Sequence, residues 1–254
     1  MSALEGRHAV VTGGGSGIGA AIADALSRAG ARVTVMGRKM DRLEGVAARL
    51  GEAQAISCDV ADPGSVITAF EQARAAFGPV SILVNNAGIA PAGPFEKMAP
   101  DTLRQVLSVN VEGVFACTRA AIADLKADAA GRVINIASTA GLKAYAYASA
   151  YVASKHAVIG ATRALAMEYA KTALTINAVC PGFTDTDIVS GSLDQIEAAT
   201  GRSREEALAV LIRDNPQRRL IDPAEVAEAC LWLCRADSRS ITGQAIVVAG
   251  GEVM

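Results

Sequence analysis

The segment Thr12-Gly13-Gly14-Gly15-Ser16-Gly17-Ile18-Gly19 decides the fold. It follows a short apolar run at 8–11 and leads into a stretch of helical period that begins at Gly17. Glycines at a strand-to-helix turn let the backbone approach a ligand closely, and the first turn of the helix offers N–H groups to a pyrophosphate. The spacing is G-x-x-x-G-x-G rather than the G-x-G-x-x-G of the general dinucleotide fingerprint, and a glycine run alone also reads as a tight turn. The rest of the chain selects between the two.

Outward from this loop, short β-branched runs alternate with longer helical segments, the pattern of repeated βαβ units. Strands are expected at 8–11, 32–36, 53–57, 82–85, 131–136, 174–179 and 245–248, and helices at 17–29, 40–50, 63–77, 100–126, 150–171 and 223–235. Near-continuous apolar strands predict a parallel sheet covered on both faces, which binds ligands beyond the carboxyl ends of its strands. The expected fold is α/β, a single Rossmann-like doubly wound domain over 1–254 with about seven strands. One irregular stretch, 185–215, with helical pieces at 193–199 and 204–212, reads as a substrate lid or a surface excursion.

Composition narrows the function. In 254 residues, 51% are hydrophobic, enough to bury both faces of such a sheet. A net charge of −2 and the lack of a basic stripe argue against nucleic acid, and Arg218-Arg219 reads as a solvated pair. No run resembles an export signal or approaches membrane-span length, so a soluble cytoplasmic protein is expected. Five cysteines, Cys58, Cys117, Cys180, Cys230 and Cys234, show neither disulfide nor zinc spacing and read as buried thiols. With only His8 and His156, no metal centre is expected.

The chemistry points to Tyr151 and Lys155. Four residues apart on a helix, they share a face, so the ammonium can lower the phenol's pKa toward working pH and let it exchange a proton with a carbonyl or carbinol oxygen. Tyr145 and Tyr147 have no lysine four residues on and read as wall or surface aromatics. A Tyr and Lys at this spacing also occur by chance on exposed helices.

The glycine loop, Asn85-Asn86-Ala87-Gly88, Asn110, Ser138, Tyr151-x-x-x-Lys155 and Pro181-Gly182 together resemble the short-chain dehydrogenase/reductase family, in the family's order, from the first strand to Gly250-Gly251. The resemblance implies hydride transfer at a nicotinamide, with Tyr151 the acid in reduction and the base in oxidation. It implies that Lys155 tunes Tyr151 and holds the nicotinamide ribose, that Ser138 holds the substrate oxygen, and that Asn110 supports a water relay. It places Gly13, Ser16, Gly17, Ile18 and Gly19 at the pyrophosphate and Asn86 and Gly88 on the adenosine side. It puts Asp59 and Val60 at the adenine, Pro181, Gly182 and Thr184 at the carboxamide, and Thr186 at the phosphates. Asp59 also reads as an acidic cap on the next helix.

At the end of the second strand, where an acid would accept from an NAD ribose, the sequence has Gly37 and then Arg38. A guanidinium there suits a 2′-phosphate, so NADP(H) is expected ahead of NAD(H), although Ser16 takes the place where some NADP-dependent relatives carry a second base. Within the family, IASTAG, SAYVASKHAVIG and NAVCPGF look most like 3-oxoacyl-thioester reductases and aromatic polyketide ketoreductases. The small-molecule carbonyl substrate is therefore expected to be an apolar ketone or a CoA or carrier-protein thioester. Lys143, Arg202, Arg204 and Arg213 read as guides for a phosphopantetheine or as solvated charges. An oxidative NAD-dependent secondary-alcohol or hydroxyacyl-CoA dehydrogenase is the near alternative, and a non-catalytic dinucleotide sensor the distant one. The resemblance also implies a homotetramer.

Overall fold

The computed structural model describes residues 3–254. Seven parallel strands, β1 (His8–Thr12), β2 (Arg32–Gly37), β3 (Ala53–Ser57), β4 (Ile82–Asn85), β5 (Arg132–Ile136), β6 (Thr175–Pro181) and β7 (Ala245–Val248), form one sheet in the order β3-β2-β1-β4-β5-β6-β7. The helices are α1 (Gly17–Arg28), α2 (Met40–Ala47), α3 (Pro63–Phe77), α4 (Thr102–Leu107), α5 (Gly113–Ala127), α6 (Ser149–Glu168), α7 (Asp187–Thr200), α8 (Arg204–Leu211) and α9 (Pro223–Cys234).

Strand periodicity builds the layers, because successive side chains leave a strand on opposite faces. Ala9 and Val11 join one core layer with Ile22 and Leu26 of α1 and Val226 and Leu233 of α9. Val10 joins the other with Phe70 of α3 and Leu125 of α5. Strand order reverses between β1 and β4, opening a crevice at the carboxyl edge. Since all strands run in parallel, the segments after β1, β4, β5, β6 and β7 reach that same edge.

The expected strands are present with ends shifted by a residue or two. Two helices stop early because their last turns tighten. After α2, Arg49 N donates to Val46 O and Leu50 N to Ala47 O, and after α6, Thr172 N donates to Tyr169 O, all i to i−3 bonds. The single helix expected at 100–126 is broken by a π turn, Ser108–Glu112, between α4 and α5. The wider turn carries Asn110 inward, where it is buried. The stretch Thr102–Ala127 also corrects the expectation that no run approaches span length: by length and hydropathy it could cross a membrane. It is instead a core helix of this fold, with Cys117, Ala121 and Leu125 packed under the sheet and Asp124 paired with Arg74 at 2.7 Å.

His8 gives the fold a pH dependence. It is 1% exposed, with Nδ1 2.9 Å from Gly78 O and Nε2 2.9 Å from Thr34 Oγ1, a pattern a neutral ring satisfies by donating from Nδ1 and accepting at Nε2. Burial pushes the imidazole below its ordinary value. The unfolded chain therefore binds the proton first, so this contribution to stability is complete above about pH 6.5 and is lost as pH falls toward the depressed folded value. We expect the free energy of unfolding, read from urea titrations, to fall between pH 7 and pH 5, by up to about 1.4 kcal/mol per pH unit. A His8→Gln variant should lose most of that slope, and an unchanged slope would acquit His8.

Candidate active site

The loop after β1 is built for close backbone approach. Gly13 and Gly17 have φ of 64° and 51°, in the left-handed region. Asn86, just beyond β4, clamps the loop: Nδ2 donates to Thr12 O at 3.0 Å and to Gly13 O at 3.1 Å, and its backbone N donates to Thr12 Oγ1 at 3.0 Å. A Cβ on Gly19 would lie 2.3 Å from Gly13 O, so the first turn of α1 can pack on the loop only without a side chain there. Ile18 is packed against the core, leaving its backbone as the part available to a ligand.

The N-cap of helix α1 is Ser16, whose side chain makes no capping bond. Side-chain caps occur at α3, where Asp62 accepts from Gly64 N, and at α8 and α9, where Ser203 and Asp222 form capping boxes; α2, α4, α5, α6 and α7, like α1, start without one. An uncapped helix start behind a glycine turn, with positive backbone potential and no Cβ in the way, fits a pyrophosphate. Thr186 lies against it, since a Cβ on Gly17 would meet Thr186 Cγ2 at 3.0 Å. The Thr186 hydroxyl donates to Thr184 O at 3.2 Å. Thr184 is buried, donates to Gly182 O at 3.0 Å and bridges to Ile221, which fixes the segment after Pro181.

Two expectations about the adenosine side resolve differently. Asp59 does not cap α3; that role belongs to Asp62, while Asp59 Oδ1 accepts from Ala61 N at 3.0 Å in a local turn. Val60 is buried beneath the start of α5, where a Cβ on Gly113 would touch it at 2.8 Å. Arg38 stands exposed just past β2 and, among the described residues, has no hydrogen-bond or ion-pair partner. Its neighbour Arg42 is spent on Asp187 at 2.7 Å, which ties α2 to the start of α7.

The reacting groups converge beyond β4 and β5. Tyr151, half-buried on α6, is hydrogen-bonded to Ser138, which follows β5. Lys155 is buried one turn on, with Nζ donating to Ile136 O at 2.8 Å and lying 5.6 Å from the Tyr151 ring centroid. Asn110 holds the loop after β4, its Oδ1 accepting from Ile89 N at 2.9 Å and its Nδ2 donating to Ile89 O at 2.9 Å and Ser154 Oγ at 3.0 Å. Ser154 Oγ in turn donates to Tyr151 O at 2.7 Å. A Cβ on Gly88 would lie 3.3 Å from Asn110 Oδ1 and 3.7 Å from Lys155 Nζ, so Asn110 and Lys155 flank this glycine. Both Asn110 amide donors are committed to the protein, and the inward turn does more than kink a helix.

The electrostatics correct one expectation. The sequence led us to expect that Lys155 lowers the Tyr151 pKa; burial instead pushes the phenol up, with only the Ser138 hydrogen bond pulling down. The same desolvation lowers Lys155 to about 8. Its ammonium points at the Ile136 carbonyl, and that is where its charge is taken up.

Tyr145, expected to be a wall or surface aromatic, is half-buried with its hydroxyl engaged. Its hydroxyl is bonded to Thr139 Oγ1 at 2.7 Å and donates to Glu252, and its ring meets Phe183 edge-on at 5.8 Å. Tyr147 is exposed, with φ of 65°. Of the cations expected to guide a phosphopantetheine, Lys143 pairs with Glu252 at 3.0 Å and Asp214 at 3.6 Å, Arg204 with Asp194 at 2.7 Å, and Arg213 with Asp214 at 3.2 Å. Arg219, read as solvated, holds Glu225 of the α9 capping box at 2.6 Å. The five cysteines are free and buried. Two surface concavities, one between α1 and α9 and one between α1 and α2, do not touch Tyr151.

A family model described as short chain dehydrogenase matches residues 7–197. The chain belongs to the short-chain dehydrogenase family. As a member it is an oxidoreductase acting on hydroxyl and keto groups. It is 37% identical over 249 residues to the granaticin polyketide synthase putative ketoacyl reductase 1 of Streptomyces violaceoruber, covering 96% of this chain and 92% of that one. Among solved structures it superimposes on a variant actinorhodin polyketide ketoreductase with NADPH at a TM-score of 0.93, with 35% identity and 97% of each chain covered. A 3-ketoacyl-(acyl-carrier-protein) reductase from Brucella melitensis complexed with NADH gives a TM-score of 0.88 and 32% identity, covering 99% of this chain and 100% of that one.

Proposed function

We propose that this dehydrogenase is an NADP(H)-dependent ketoreductase acting on a 3-oxoacyl thioester or a similar apolar ketone, with Tyr151 as general acid and base. The observation that carries this is the grouping of Tyr151 with Ser138 and Lys155, with Lys155 and Asn110 flanking Gly88, at the sheet edge where α1 begins.

The residues present fit a nicotinamide dinucleotide. Gly13, Ser16, Gly17, Ile18 and Gly19 would hold its pyrophosphate, with Thr186 beside them. Asp59, Val60, Asn86 and Gly88 would line the adenosine, and Pro181, Gly182 and Thr184 the carboxamide. When bound, the dinucleotide supplies a hydride to the carbonyl carbon or accepts one from the carbinol. Ser138 holds the substrate oxygen through its hydroxyl. Tyr151 gives that oxygen its proton in reduction, in the protonated form that burial maintains through neutral pH. Lys155 keeps a positive charge near the developing phenolate below about pH 8. Asn110 positions rather than reacts: its amide locks the loop after β4 to α6, and resupply of the proton through water would use groups other than its committed N–H donors.

Helices α7 and α8 enclose a small apolar cluster of Val189, Leu193 and Ala207 packed with Phe183, which suits a lid that excludes water from the transfer. By the same resemblance we read the protein as a cytoplasmic homotetramer.

The test follows loss of reduced-nicotinamide absorbance with acetoacetyl-CoA, NADPH and NADH side by side. Turnover with NADPH preferred is expected. Replacing Arg38 with Ala should raise the KM for NADPH roughly ten- to hundredfold, the loss of one charge-assisted contact to a 2′-phosphate. A preference for NADH in the parent protein would move the reading to the NAD-dependent hydroxyacyl dehydrogenase.

A further inference from the structure

The last residues of the chain return to the active-site edge. Glu252, four residues past β7, has a side chain only 2% exposed, yet no feature of the sequence singles it out. It accepts from the Tyr145 hydroxyl and pairs with Lys143 at 3.0 Å, and a Cβ on Gly182 would lie 3.0 Å from its Oε2. Lys143 also reaches Asp214 at 3.6 Å, just beyond α8, and sits 4.9 Å from the centre of the Tyr145 ring. Asp214 is held in turn by Arg213 at 3.2 Å. The tail is fixed where it lies: Gly250, with φ of 60°, abuts Asn215 so closely that a Cβ would meet Asn215 Oδ1 at 2.4 Å.

From the segments it joins, we read this cluster as one wall of the site. Thr139, bonded to Tyr145, is the residue after Ser138, and Gly182 and Phe183 directly follow β6. Gly93 N donates to Tyr147 O at 2.8 Å, joining the loop after β4 to the same wall. An unpaired lysine at such a wall would recruit an anionic substrate. Here Lys143 faces two carboxylates and the Tyr145 hydroxyl is committed on both sides, so neither of these groups is left free to compensate a charged headgroup. An additional carboxylate brought to this wall would be desolvated and repelled by Glu252.

Resting on the ketoreductase reading, we propose that Glu252 sets substrate charge: by neutralising Lys143 and fixing Tyr145, it makes the site take oxoacyl groups that end in an uncharged ester or thioester and reject free oxo acids. Glu252 and Lys143 are specificity residues; the proton and hydride are handled by the groups already described.

The test compares methyl acetoacetate with acetoacetate, nearly the same size and differing in charge, with saturating NADPH. The parent protein should favour the ester in kcat/KM by at least about a hundredfold, with the difference mostly in KM. In Glu252→Gln, which frees the Lys143 charge, the ratio of acetoacetate to ester should rise at least about tenfold. Asp214→Asn removes the exposed carboxylate on the same lysine without touching the buried core, and should move the ratio the same way by about threefold. It decides the matter if Glu252→Gln does not fold. A purely structural Glu252 would lower both substrates together and leave the ratio fixed, and that result overturns the proposal. So does a parent protein that reduces both substrates equally well, which would leave the ketoreductase reading intact. Reduction of neither substrate, nor of acetoacetyl-CoA, would remove that reading and this proposal with it.

Discussion

Tyr151→Phe is expected to lower kcat for carbonyl reduction by about 10² to 10⁴, the range a positioned general acid contributes, while NADPH binding stays within a few-fold. A thousandfold loss corresponds to about 4 kcal/mol of transition-state stabilisation. Only one oxygen is deleted, and its bonded neighbour Ser138 keeps the Ala140 N–H at 3.1 Å, so the melting temperature should barely move. That separation matters, because a variant that loses both activity and fold says nothing about acid catalysis. Measuring kcat beside NADPH binding by fluorescence and the thermal melt makes the distinction. Retention of full activity would remove Tyr151 from the mechanism.

The pH profile follows from the two shifts at the same site. Burial holds the phenol above its ordinary value, so the acid form needed for reduction persists through neutrality. Lys155, lowered to about 8, loses its charge as pH rises through that value. Reduction should therefore be flat near neutral pH and decline above about 8, and alcohol oxidation, which needs the phenolate, should climb over the same range. The direction of each limb follows from which protonation state is the reactant.

Much of this site could be read before any coordinates, for a physical reason. The glycine loop, Asn86, Ser138, Tyr151, Lys155 and the Pro181-Gly182 turn each immediately follow a strand or sit at fixed helical spacing, and parallel topology then brings them to one edge. The π turn could not be read, because hydropathy in 102–127 keeps a helical period through the extra residue that turns Asn110 inward. Glu252 was equally hidden: its partners Lys143 and Tyr145 lie more than a hundred residues away, and the cluster exists only once β7 is laid beside β6. The direction of the Tyr151 shift was missed because spacing reports proximity and is blind to burial. In a dry site desolvation outweighs a lysine already occupied by a carbonyl.

Gly19→Ala should separate helix propensity from the loop's need for space. In a helix interior, Gly to Ala normally stabilises by about 0.5–1 kcal/mol, since the unfolded chain has less entropy to lose. At Gly19, however, the new methyl would sit 2.3 Å from Gly13 O and 2.5 Å from Asn86 Nδ2, both parts of the clamped turn. Either the loop moves outward, breaking the Asn86 bonds to Thr12 and Gly13, or α1 tilts away from β1. Overpacking of this kind costs about 1–3 kcal/mol, which outweighs the propensity gain. The expected net loss of about 1–2 kcal/mol lowers the melting temperature by several degrees for a chain of this length. Gly45→Ala is the matched control, because Gly45 lies inside α2 with nothing within 4 Å of its would-be Cβ. It should gain stability and leave NADPH binding alone. Displacement of the uncapped start of α1 by even a fraction of an ångström misaims its N–H groups, so Gly19→Ala should weaken NADPH binding at least about a hundredfold by isothermal titration. That would be about 2.7 kcal/mol, in the range of losing one or two charge-assisted hydrogen bonds. Should Gly19→Ala instead behave like Gly45→Ala, stabilised and still binding, the tight packing of helix on loop would not be what shapes the dinucleotide site.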